Sequence, residues 1–285
     1  MSKQVTEIHL PWMDICRLIA IFGVILIHIS APVFYDYRTI SIDSFLIGNG
    51  IDSLARVSVP LFIMLSGALL LGKRQKWGGG SKRVTRVLFP LIFWSFIYLL
   101  WIAYWTNKPL DFFSGLKLMA EAPVMYHLPF VYMMIGIYLL LPILEVIYTA
   151  LISDRNFAIY FFTLWLLINS ITIYYPINVI QHLKLSGFFG WSGYFILGYY
   201  LTQTEWLLRL SARIYIIIFS LATMCTFFLS WYFNALSLTP NETAFDYLSP
   251  NVIVASSAAF LLFKKINVKD NANSSHKCNS ESHWR

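Results

Sequence analysis

The sequence predicts an all-α fold, a polytopic transmembrane helical bundle, and three observations support that class. Of its 285 residues, 58% are hydrophobic and only 12% are charged, whereas soluble domains contain about 25% charged residues. The apolar residues occur in runs of about 20, the length that crosses roughly 30 Å of hydrocarbon. The lysines and arginines lie mainly in alternate loops between these runs, as the positive-inside rule requires.

The apolar runs predict eight spans, of which the sixth is short and rich in glycine. Their limits are near 13–34, 54–72, 85–105, 128–149, 156–175, 187–203, 211–233 and 250–266. From residue 267 the composition becomes polar and of low complexity, which is typical of disorder. We therefore predict a membrane domain over 1–266 and a disordered tail over 267–285.

The distribution of the basic residues predicts that both termini are cytoplasmic. With the N-terminus inside, sixteen lysines and arginines fall on the inner side and five on the outer side. Such an excess of basic residues inside sets the orientation of multi-pass proteins. The net charge of +7 is therefore interpreted as a topology signal, and no nucleic-acid partner is expected.

The cysteines indicate neither a disulfide framework nor a metal site, and no bound cofactor is expected. Cys16, Cys225 and Cys278 are scattered, with no CxxC pair and no Cys/His cluster in the sequence. The first apolar run is longer than a signal peptide and lacks a small-residue cleavage site, so we expect it to remain as the first span.

The first span contains three ionisable residues on one face. Arg17 and His28 are eleven residues apart, which is close to three helical turns and an axial separation of about 16 Å. Asp14 precedes Arg17 by one turn, where the two can pair. Asp14 and Arg17 could be interfacial anchors and His28 a packed hydrogen-bonding residue. An intramembrane histidine more often marks a pathway or a site, and imidazole accepts a proton near neutral pH.

Four segments of the first half resemble the acyltransferase-3 family of bacterial integral-membrane O-acyltransferases. They are DICRLIAIFGVILIH from Asp14, RVSVPLFIMLSGALL from Arg56, KRVTRVLFPLIFWS from Lys82 and YHLPFVYMMIGIYLLLPIL from Tyr126. The first is similar to the Arg-x10-His signature of the family. The closest pattern is that of surface-polysaccharide O-acetyltransferases of the enterobacterial common antigen type.

The resemblance implies a multi-pass enzyme of the bacterial inner membrane. Cytoplasmic acetyl-CoA would be the acyl donor, and a sugar hydroxyl of a cell-surface or lipid-linked glycan would be the acceptor. His28 would be the catalytic base, and Arg17 would hold the coenzyme or orient the acyl group, with Asp14 as its neighbour. Membrane lipid, acyl-CoA and the glycan are thus the expected partners.

The same chemistry suggests residues for the two substrates. Lys82, Arg83 and Arg86 follow the inner loop and would bind the phosphates of acyl-CoA, although positive-inside charge is the simpler explanation for such a loop. Ser66 lies in a Ser-Gly pair that could admit the pantetheine arm or let two helices pack closely. On the outer side, His127 and Arg56 would face the acceptor or anchor at the interface.

Two departures from the family pattern leave alternatives open. Pro129 stands where the family has a tryptophan, and eight spans are predicted where the family has ten. We therefore expect the chain to lack the last spans, which leaves an inactive, truncated member as one alternative. A glycan or small-molecule transporter is the other, although neither an inverted repeat nor paired broken helices are visible in the sequence.

Overall fold

The computed structural model describes residues 11–72, 79–107, 112–175 and 190–281. At residues 79–80, 112, 120 and 266–281 it describes the backbone alone. The described parts of the chain are helical and contain no strand. In chain order the α-helices, numbered α1 to α11, are Pro11–Tyr35, Ile42–Ala55, Ser58–Leu70, Gly79–Thr106, Phe112–Glu121, Pro129–Ser153, Arg155–Tyr174, Trp191–Gln203, Glu205–Arg209, Ala212–Leu236 and Pro250–Glu281. A 3₁₀ turn, Thr243–Phe245, precedes α11.

Seven segments of the described chain are long and apolar enough to cross a membrane. They are Pro11–Tyr35, Ile42–Leu70, Ser81–Thr106, Pro129–Ser153, Arg155–Tyr174, Ala212–Leu236 and Thr243–Lys265. The predicted class, a polytopic helical bundle, is confirmed. Which terminus faces the cytoplasm stays a prediction.

The second span begins at Ile42, twelve residues before the predicted start at 54. Asn49, Asp52 and Arg56 interrupt the apolar pattern there, but the structure turns these side chains into the protein, where Asn49 and Asp52 are fully buried. Pro60 has no N–H for the carbonyl of Arg56, which accounts for the break between α2 and α3. Arg56 consequently lies in the middle of the span.

The sixth predicted span corresponds to α8, and its first residues, 187–189, lie outside the described parts of the chain. The 13 residues of α8 extend about 20 Å, which is shorter than the hydrocarbon core. At the other end, α11 continues to Glu281, and the disordered tail over 267–285 stays a prediction. No glycine or proline occurs after Pro250 to end that helix.

The chain divides into two compact units, Met1–Leu70 with Leu151–Arg285, and Leu71–Ala150. We call them unit 1 and unit 2 and describe each separately. In unit 1, the Trp12 ring lies 5.4 Å from that of Phe260, so the start of α1 meets the last apolar turns of α11. At its opposite end, Phe34 lies 5.2 Å from Phe245. These contacts define a Trp12 end and a Tyr35 end of unit 1.

Helices α3 and α8 pack closely because glycines face backbone on both sides. A β-carbon on Gly67 would lie 1.8 Å from the carbonyl oxygen of Phe195, and one on Gly198 would lie 2.1 Å from that of Met64. Such small-residue contacts drive helix association in membranes through van der Waals packing. Gly67 of the Ser66-Gly67 pair thus acts in helix packing, and contact of Ser66 with the pantetheine arm stays a prediction.

In unit 2, the start of α6 packs against both α4 and α5. The ring of His127, just before α6, lies 5.2 Å from that of Tyr98 on α4. The Tyr132 hydroxyl on α6 donates a 3.0 Å hydrogen bond to the carbonyl oxygen of Met119 on α5. These contacts place His127 beside the second half of α4.

Candidate active site

Helix α1 carries its ionisable side chains beside its buried face rather than on it. The buried residues of α1 follow a helical period: Trp12, Met13, Cys16, Ala20, Gly23, Ile27, Ser30 and Phe34. Asp14 and His28 are exposed and Arg17 is half-buried. The Arg17 guanidinium donates to the Asp14 carboxylate at 2.7 Å, with 43% and 49% of the two side chains exposed. An ion pair this exposed adds little stability.

A buried ion pair lies in the middle of the second span. Nη2 of Arg56 is 2.8 Å from Oδ2 of Asp52, and the two side chains are 12% and 1% exposed. The Arg56 guanidinium also lies 4.6 Å above the ring of Phe245 and 5.3 Å from that of Tyr247. Burying charges is tolerated only when they are paired and hydrogen-bonded, and the two aromatic faces add cation–π attraction.

Three further groups surround this pair. His28 lies within electrostatic range of the Asp52 carboxylate, and Glu242 lies within electrostatic range of both Asp52 and Arg56. Glu242 in turn accepts a hydrogen bond from the hydroxyl of Tyr35, the last residue of α1. We call His28, Tyr35, Asp52, Arg56 and Glu242 the polar cluster; it joins α1, α2 and the segment before α11.

Two buried polar atoms of the polar cluster have no hydrogen-bond partner among the described residues. Oδ1 of Asp52 and Nε of Arg56 are buried and have no hydrogen-bond partner there. Buried polar atoms without partners are uncommon and point to a functional role or a missing ligand. The carboxylate oxygen could accept a hydrogen bond from a hydroxyl, and the guanidinium N–H could donate one to an oxygen.

Four predicted residues belong to unit 2. Lys82 and Arg86 are exposed and Arg83 is half-buried near the start of α4. Arg86 lines a cavity of about 470 Å³ together with Trp94, Tyr98 and His127. The structure thus brings a predicted donor residue, Arg86, and a predicted acceptor residue, His127, to one cavity. Tyr98 follows Arg86 by twelve residues on α4, so the two lining residues are about 18 Å apart along the helix axis.

Ser66, predicted to contact the pantetheine arm, uses its hydroxyl within its own helix. Its Oγ donates a 2.8 Å hydrogen bond to the carbonyl oxygen of Phe62. Such a bond to the preceding turn is common for serine in apolar helices. Nothing in its described surroundings marks it as a nucleophile.

The structure brings together His28 and Arg56, which the sequence places in separate spans, through their shared neighbour Asp52. Sequence reasoning missed Asp52, Tyr35 and Glu242. The i,i+4 spacing of Asp52 and Arg56 is a readable signal of a helical ion pair, but the predicted span began after Asp52. Glu242 is distant in sequence from the others and carried no local signal. Among the described residues, no group of three or more His, Cys, Asp or Glu side chains is arranged to hold a metal ion.

A family model, Acyl_transf_3, described as an acyltransferase domain, matches residues 10–274. Searches of the curated proteins and of the solved structures gave no significant match.

Proposed function

The chain belongs to the acyltransferase-3 family, whose model covers nearly all of it, and from that premise we propose that it transfers an acetyl group from acetyl-CoA to a sugar hydroxyl. Acyl transfer and membrane location follow from the family and from the seven apolar helices. The observation that carries the finer proposal is the position of His28 within electrostatic range of the buried Asp52 carboxylate, which is itself paired with Arg56.

In the proposed reaction His28 acts as the base. Its imidazole takes the proton of the sugar hydroxyl while the hydroxyl oxygen attacks the acetyl carbonyl. The tetrahedral intermediate then expels the coenzyme A thiolate, which receives that proton from the imidazolium. Asp52 stabilises the imidazolium by its negative charge, and a positioned base of this kind contributes about 10²–10⁴-fold in rate.

Four cationic side chains are assigned to the acyl donor. Lys82, Arg83 and Arg86 are proposed to bind the phosphates of acetyl-CoA, and Arg17 to hold the donor or orient its acyl group. Their support is charge and position near the start of a helix, because phosphate is bound well by lysine and arginine. Asp14 positions Arg17 through their ion pair.

The acceptor is proposed to be a cell-surface or lipid-linked glycan, with Arg56 and His127 as its contacts. Carboxylate, guanidinium and aromatic groups together suit a sugar, and the polar cluster offers all three beside Phe245 and Tyr247. The proposed location is a bacterial inner membrane, as for the enterobacterial common antigen enzymes, and the family resemblance supports it.

The test measures transfer of labelled acetyl from acetyl-CoA to glycan in membranes that contain the full chain. We expect His28→Ala and His28→Gln to lower the transfer rate at least about 100-fold. The matched control is Ile29→Ala, the next residue, whose side chain is 65% exposed; it should retain activity. Transfer at the wild-type rate in both His28 variants would remove this residue from the mechanism. Export of unmodified glycan would favour the transporter.

A further inference from the structure

A large apolar groove lies in unit 1, and no residue of the polar cluster lines it. Its volume is about 1160 Å³, and its walls come from α1, α3, α9, α10, α11 and the end of α2. Phe22, Leu26, Leu61, Ile216 and Phe263 line it with hydrocarbon. A cavity of this size exceeds the usual range of small-molecule pockets, about 300–1,000 Å³, and its lining offers few polar partners to such a ligand.

One mouth of the groove is basic. Arg213, in the first turn of α10, and Lys265, after the apolar part of α11, both line it. Both residues lie at the Trp12 end of unit 1, since Lys265 follows Phe260 by little more than one turn and the ring of Phe260 contacts Trp12. The far side of the groove reaches Ala55 and Ser58, on either side of the break beside Arg56.

The two cations at this mouth are held differently. The Lys265 ammonium donates to the carbonyl oxygen of Leu210, the residue that ends α9. An ammonium has three donors, so two stay available to an anion. Arg213 is exposed and forms no ion pair with the described chain. The neighbouring Lys264 is occupied by the carbonyl oxygens of Leu201 and Thr202.

The length of the groove matches one leaflet. From Ser211 to Phe219 the wall rises about 12 Å along α10, and from Ile19 to Leu26 about 10 Å along α1. Half of a hydrocarbon core is roughly 15 Å. An alkyl chain that entered between Arg213 and Lys265 would therefore end beside Leu26 and Ser58.

We propose that this groove binds an anionic phospholipid, with its phosphate between Arg213 and Lys265 and an acyl chain along the apolar walls. Charge complementarity selects this occupant: the walls take hydrocarbon, and two cations at the mouth favour a net negative headgroup over a zwitterionic one. The bound chain covers the side of α2 and α3 next to Arg56 and separates the ion pair from bulk lipid. The site is independent of the proposed acetyl transfer.

The experiment counts lipids retained by the purified full chain. The protein in detergent is titrated with phosphatidylglycerol or with phosphatidylcholine of identical acyl chains, and native mass spectrometry measures bound lipid. We expect about tenfold tighter retention of phosphatidylglycerol. The variant Arg213→Gln/Lys265→Gln should abolish that preference. The charge-matched control Arg38→Gln/Lys117→Gln, which removes two exposed cations elsewhere, should keep it.

Two further arms test the hydrocarbon part of the site. Ala212→Trp places a bulky ring at the mouth of the groove and should lower retention of both lipids. A tenfold excess of inorganic phosphate over phosphatidylglycerol should displace no lipid. Equal retention of the two lipids by wild type would overturn the proposal. So would a preference that survives in Arg213→Gln/Lys265→Gln, displacement by free phosphate, or a dimer that carries no lipid.

Discussion

Replacing Arg56 by methionine removes the cation that neutralises Asp52 and leaves a carboxylate whose side chain is only 1% exposed. Removing one partner of a buried ion pair costs about 3–5 kcal/mol, because the remaining charge is desolvated without compensation. Loss of the cation–π contacts with Phe245 and Tyr247 acts in the same direction. We therefore expect Arg56→Met to lower the free energy of unfolding by about 3 kcal/mol or more.

The double variant Asp52→Leu/Arg56→Met should be much less destabilised than either single change suggests. Replacing both charges of a buried pair by apolar side chains of similar volume is often neutral or stabilising. If Asp52→Leu also costs about 3 kcal/mol, additivity predicts a loss of about 6 kcal/mol for the double variant, whereas the paired description predicts at most about 2 kcal/mol. The expected coupling energy is thus about 4 kcal/mol.

The assay is unfolding of the purified chain in mixed micelles with increasing sodium dodecyl sulfate, followed by circular dichroism. The four proteins of the cycle are compared in one micelle composition, because unfolded helices find new polar partners in lipid and lower the measured energies. Independent sites deviate from additivity by up to about 0.5 kcal/mol. A coupling energy below that value would refute the interpretation of Asp52 and Arg56 as a buried, energetically coupled pair. The exposed pair of Asp14 and Arg17 provides the contrast, since its cycle should give no more than about 1 kcal/mol.

Three further predictions concern packing and the donor site. Gly67→Ala should destabilise the protein by about 1–3 kcal/mol, since its β-carbon would lie 1.8 Å from a carbonyl oxygen. The control Gly136→Ala should not destabilise it, because no atom lies within 4 Å of that β-carbon. Unfolding in sodium dodecyl sulfate measures both variants. Arg17→Ala should leave the unfolding free energy within about 1 kcal/mol of wild type but lower acetyl transfer, and unchanged transfer would argue against a donor role. Arg86→Gln should raise the KM for acetyl-CoA several-fold with little change in kcat, as expected for a phosphate contact; an unchanged KM would favour plain positive-inside charge.

The membrane class and most spans could be predicted because apolar runs of about 20 residues have few other interpretations. The start of the second span could not, since Asn49 and Asp52 look like loop residues until their burial is known. The stripe of Asp14, Arg17 and His28 follows from helical geometry alone. Its relation to Glu242 does not, because the hydrogen bond from Tyr35 to Glu242 joins residues 207 positions apart, and no helical period encodes such a contact.

The double variant of Asp52 and Arg56 also distinguishes a structural from a functional explanation of the polar cluster. An apolar pair of equal volume would hold α2 in place at least as well, because charges in a low-dielectric interior lose more solvation than their attraction returns. If the pair served packing alone, Asp52→Leu/Arg56→Met would remain folded and would transfer acetyl groups at the wild-type rate. If Asp52 stabilises the imidazolium of His28 and Arg56 contacts the acceptor, the same stable variant should lose at least about 100-fold in kcat/KM. Since this variant would stay folded while its activity falls, loss of folding cannot account for that result.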